Sequence, residues 1–203
     1  NLGATSASPG SVGALGLMYQ WGRKDPFLGS SFISANSIAV STGNWTTVSY
    51  QHTVESAVQN PTTFICGNYD WCTGDGSGTN TGDLRWKDTE KTAYDPCPVG
   101  YRVPKGGDNG FWETVSDAER NSANLGLSWI LADGTTAWYP HEGFRSRSSG
   151  KLDYVGSISD YWSASPGTSY TDTASCLHYS NGLTGYSNNG NRSLGCSVRC
   201  VRE

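Results

Sequence analysis

The sequence predicts an α+β fold in which strands predominate, and three observations point to it. Glycine fills 26 of the 203 positions and charged residues only 16%. The surface is therefore built from neutral Ser, Thr, Asn and Gly rather than from the Glu, Lys and Ala on which helices draw. Eight Trp and eleven Tyr supply too much apolar area for a disordered chain. Short apolar runs separated by Gly, Ser and Asn turns recur along the second half, which is the pattern of strands. A chain of this length buries a core. With no repeat, heptad or low-complexity tail, residues 1–203 are expected to form one domain.

A first strand is expected near residue 17, where the run from Leu15 to Tyr19 meets a turn at Gly22. Thr53 can cap a helix of at most two turns through Gln59, stopped before Asn60-Pro61. Phe64-Ile65 reads as a short strand, and the run from Thr73 to Asp83 as a surface loop by its composition. Between Asp95 and Pro104 three prolines forbid helix, while the alternation of Val99, Tyr101 and Val103 suits an edge strand. Asn109 to Asn121 is a helix candidate, with Asn109 as its cap and Phe111, Trp112, Val115 and Ala118 as its apolar face. Further strands are expected at Trp129 to Leu131, Tyr154-Val155, Tyr161 to Ala164, Ser175 to Tyr179 and Ser197 to Val201.

A net charge of −4 offers no electrostatic footprint for nucleic acid or an anionic membrane. The longest apolar stretch, Val12 to Tyr19, is far short of the roughly 18 residues that span a bilayer. Neither a nucleic-acid partner nor a membrane-spanning segment is expected. The start at Asn1, without a charged and then apolar leader, implies a removed signal or a piece of a longer protein. Six cysteines, Cys66, Cys72, Cys97, Cys176, Cys196 and Cys200, form no Cys-x-x-Cys pair, and His52, His141 and His178 are scattered. That even count favours disulfides and export over a zinc site.

Several segments in order carry a family resemblance: Asp83-Leu-Arg-Trp86, Asp95-Pro-Cys-Pro-Val-Gly-Tyr-Arg-Val-Pro104, Gly143-Phe-Arg145, Tyr161-Trp-Ser-Ala-Ser165, and Asn191-Arg192 leading to Gly195-Cys-Ser-Val-Arg-Cys-Val201. Together, over about residues 83 to 203, the chain resembles the fibrobacter major paralogous domain family (FISUMP), as found in surface and fimbrial-type proteins of Bacteroidetes. The resemblance implies a C-type-lectin-like fold with one or two short helices, stapled by disulfides. It implies a bridge from Cys97 to Cys200, with Cys66 to Cys72 and Cys176 to Cys196 completing one of the 15 pairings that six cysteines allow. Arg192 and Arg199 are implied as supports of the final strand. A location on the cell surface, outer membrane or fimbrium follows, with a glycan or protein as the ligand and fimbrial subunits as further partners.

That fold hosts adhesion, sugar binding and oxidase chemistry, so the site must decide between them. No Gly-x-Ser-x-Gly elbow is present, and Glu113 and Glu119 are explained by helix capping and solvation. The enzyme alternative is a formylglycine-generating-type copper oxidase, for which Cys196 and Cys200, four apart on one strand face, are the candidate pair. The sugar-binding triplets of calcium lectins do not occur, and Asp75, Ser77, Asn80 and Asp83 read as a turn-rich loop rather than a calcium site. No metal or cofactor is expected. Tyr179, Asn181, Tyr186, Asn188, Asn189 and Asn191 offer flat aromatic faces and amides suited to sugar hydroxyls or protein contacts. The same Asn and Gly fit left-handed turns, and both readings stand. Trp138 and Tyr139, with His141, flank a proline turn and form a second aromatic lip. The expected function is a non-enzymatic extracellular recognition or adhesion module, with a retroelement-diversified receptor-binding protein as the alternative.

Overall fold

The computed structural model describes residues 1–31, 44–47, 52–72, 85–107, 109–114, 126–130, 133–180 and 183–203. The fold is α+β and strand-rich. One mixed sheet takes β11 (Leu183–Asn191), β10 (Thr173–Ser180), β9 (Ile158–Pro166), β12 (Gly195–Ser197), β7 (Phe144–Arg145) and β8 (Leu152–Asp153) in that order, with β1 (Met18–Gln20) also paired to β12. β12 runs antiparallel to β1 and parallel to β9, so strands from the two ends of the chain meet at the middle of the sheet. Nearly all of β9 is buried, because both its faces carry core. Trp162 and Ala164 pack with Tyr19, Trp21, Trp86 and Val198 on one side, while Tyr161 packs with Trp112, Leu127, Leu177 and Tyr179 on the other.

Smaller ribbons surround the sheet: β2 (Asn44–Thr47) parallel to β3 (Thr63–Cys66), β4 (Tyr101–Arg102) with β13 (Val201–Arg202), and β5 (Gly126–Ile130) with β6 (Thr136–Pro140). The helix α1 (Val54–Gln59) starts where Thr53 Oγ1 accepts from Ser56 N. A disulfide joins Cys97 to Cys200, with 5.8 Å between their Cα atoms.

Several expectations are corrected. Tyr154-Val155 is no strand: β8 ends at Asp153, and Tyr154 turns the chain with φ of 59°. The expected Ser197 to Val201 strand breaks into β12 and β13, between which Val198 enters the core and Cys200 the bridge. Asn109 has φ of 61° rather than the extended backbone of a cap, and a 3₁₀ turn, Phe111–Thr114, follows it. Val115, Ala118 and Glu119 lie outside the described residues, as do Asp75, Ser77, Asn80 and Asp83. The Tyr179 to Asn191 stretch is a hairpin and not a loop, since β11 pairs along β10. Gly190 is the glycine of a crowded strand, where a Cβ would meet Trp162 at 2.8 Å.

Two expected bridges are also corrected. β9 separates Cys176 on β10 from Cys196 on β12, and strands two apart lie about 9.5 Å from each other, beyond disulfide reach. Cys66 packs with Met18, Phe27 and Phe64, whereas Cys72 packs with Ala57, Ile65 and Trp71. Because Phe64 and Ile65 alternate across β3, those clusters lie on opposite faces of that strand.

Candidate functional site

The site is built on β6, which pairs with β5 in a two-stranded ribbon. Alternation sends Ala137 and Tyr139 into the core with Trp112, Leu127 and Tyr161, while Thr136, Trp138 and Pro140 line an open groove of about 510 Å³. The Trp138 ring lies across Gly126 of β5, where an added Cβ would stand 2.3 Å from Cζ2. Only glycine leaves room for the indole there.

The opposite wall is the N-terminal segment, represented by Asn1, Ala4, Thr5, Ser6 and Ala7. It is tied down by backbone bonds from Leu2 N to Val198 O (2.9 Å), from Leu17 N to Leu2 O (2.9 Å), and from Thr5 N and Ser6 N to Gly13 O. Arg199 joins the two walls. Its Nη1 donates to Trp138 O and, at 3.5 Å, to Asn1 Oδ1, and its guanidinium covers the Tyr139 ring.

Beneath the groove is a sealed polar network. Glu142, 1% exposed, accepts from Gly16 N (3.1 Å) and Ser197 Oγ (2.5 Å), and from Asn1 Nδ2. Burial pushes its carboxyl up to about 7, against the lowering effect of the Ser197 and Gly16 hydrogen bonds. His141 stacks on Tyr179 at 4.8 Å, and burial holds its pKa down at about 4. Ser159 Oγ donates to Pro140 O, which leaves it to accept from Nδ1–H of His141 at 2.8 Å.

The residues singled out from the sequence are dispersed. Tyr179 and Tyr139 are 3% and 2% exposed, which corrects both from ligand platforms to core aromatics. Trp138 lines the groove. Tyr186, Asn188 and Asn189 lie on β11, Asn191 is half-buried at its end opposite Thr173, and Asn181 falls outside the described residues. Arg192 is structural, its Nε donating to Thr173 O and its guanidinium 4.4 Å over Trp21. The copper pair is not assembled: Cys200 is bridged to Cys97, and burial foremost pushes the Cys196 thiol well up, with Asp160 adding to the effect. His178 Nδ1 lies 2.7 Å from Asp160 Oδ1, a hydrogen bond that raises the histidine's pKa.

Sequence reasoning missed Thr5, Ser6 and Thr136, and gave Arg199 a supporting role only. Among the described residues no three His, Cys, Asp or Glu are grouped to hold a metal, and no helix is long and apolar enough to cross a membrane. Comparison with protein-family models, curated proteins and solved structures gave no match to the chain.

Proposed function

We propose that this chain is a non-enzymatic recognition module of C-type-lectin-like type, carried by an exported surface or fimbrial protein, which binds a glycan or protein ligand through the groove between β6 and the N-terminal segment. The observation that carries the reading is the groove itself. Its walls are fixed by backbone pairing and by the Arg199 tie, so a ligand meets a preformed surface at low ordering cost. His141, Glu142 and Cys196 are buried in internal contacts. The resemblance of residues 83–203 to surface and fimbrial proteins supports export, as does the Cys97–Cys200 bridge.

A glycan and host-protein array probed with the intact protein tests this. Saturable capture of a defined ligand class, lost on filling the groove by Ala7→Trp, is the expected result. Turnover of a captured ligand, or no saturable capture across the array, overturns it.

A further inference from the structure

Among the residues that line the groove, Arg199 has the one charged side chain and none has a carboxylate. Arg199 is half-buried, and its two hydrogen bonds within the described residues both leave from Nη1. Nη2 and Nε make none among the described residues. The buried acid Glu142 has its oxygens occupied by Ser197, Gly16 and Asn1. A guanidinium clamped by an aromatic face and a carbonyl, with one edge uncommitted, is oriented for a planar two-oxygen acceptor.

We infer that the groove is a carboxylate subsite that takes an acidic sugar residue of a glycan, anchored by Arg199. The inference rests on the recognition reading above and names the ligand class. Two features favour a sugar over a peptide. An added peptide strand needs the free edge of β6, but Trp138 O is taken by Arg199, Pro140 O accepts from Ser159 Oγ and Tyr161 OH, and Pro140 has no N–H. The hydroxyls of Thr5, Ser6 and Thr136 match ring hydroxyls, and the Trp138 indole supplies an aromatic wall. A space of about 510 Å³ suits one or two sugar rings.

Calorimetric titration of the intact protein with glucuronate and N-acetylneuraminate, set beside glucose, N-acetylglucosamine, acetate and sulfate, is the test. An acidic sugar is expected to bind at least about tenfold tighter than the neutral sugars and than either simple anion. Thr136 is exposed, so Thr136→Asp places a repelling charge in the groove without touching the core. It should weaken the acidic sugar by roughly tenfold or more at unchanged melting temperature, and Arg199→Lys should weaken it similarly by losing the planar fork. Equal affinity for glucose and glucuronate, equal affinity for acetate or sulfate alone, or full retention in Thr136→Asp overturns the inference. Groove-dependent capture of neutral glycans on the array would leave the recognition reading standing while this one falls.

Discussion

The guanidinium of Arg199 stands 4.3 Å from the centroid of the Tyr139 ring. The aromatic next to Trp138 in sequence is thus the floor under the cation, and its own edge meets Tyr161 at 5.0 Å. A residue that looks like half of a binding lip is a support, and the charge above it faces the groove.

Tyr139 and Tyr179 should therefore behave as core residues. Each replaced by Ala is expected to cost about 3–5 kcal/mol, read as a lowered urea midpoint with unchanged slope. A variant of either that melts like the parent while losing ligand would return that tyrosine to the surface.

The Cys97–Cys200 bridge closes a separation of 103 residues, worth about 4–5 kcal/mol in the chain-entropy model. Cys200→Ser should lower stability by several kcal/mol. Non-reducing peptide mapping should recover Cys97 joined to Cys200 and no peptide joining Cys176 to Cys196. Cys196, a buried thiol held protonated, should resist alkylation until the protein unfolds.

His141 and Glu142 are predicted to oppose each other in acid. Between 4.5 and about 7 the folded chain keeps a proton on Glu142 that the unfolded chain releases, so this group makes stability fall as pH rises through that window. His141 has its folded pKa lowered from 6.5 to about 4, so the unfolded chain takes that proton first and stability falls as pH drops from 6.5 toward 4. The two offset one another between 4.5 and 6.5. His178, raised by Asp160, contributes a stabilising charge that is lost above 6.5. The parent should show a shallow profile in that acid range. Glu142→Gln should unmask a rise of stability with pH, on the order of 2–3 kcal/mol. Urea unfolding at several pH values measures it, and a Glu142→Gln profile parallel to the parent contradicts it.

Gly126→Ala puts a methyl into the Trp138 ring. Overpacking of this kind costs about 1–3 kcal/mol, and here it also displaces a groove wall. Loss of ligand binding together with a lowered melting temperature is expected, whereas Gly134→Ala, with nothing near its Cβ but φ of 80°, should affect stability alone.

Much of the fold was legible from local patterns. The Thr53 cap marks α1, and short apolar runs mark β1, β3, β9 and β10. β11 was not legible, because its Asn and Gly mimic loop composition although Gly190 answers to close approach by Trp162. β8 was misplaced because Tyr154 adopts a left-handed backbone that glycine or asparagine usually fills. In the site, Trp138 stood out as an aromatic beside proline. Tyr139 misled, since alternation states that neighbours face opposite ways without saying which way is out. Arg199 and Asn1 meet across 198 positions, and no local signal announces a contact set up by Leu2 pairing with Val198.

The most direct test of the account compares ligand affinity of the intact protein with that of Thr136→Asp and Tyr186→Ala, using whichever ligand the array captures. If recognition resides in the groove, Thr136→Asp loses roughly tenfold or more while Tyr186→Ala on β11 changes affinity less than about threefold. Loss in Tyr186→Ala with full binding by Thr136→Asp would contradict the account and move recognition to the β10–β11 hairpin.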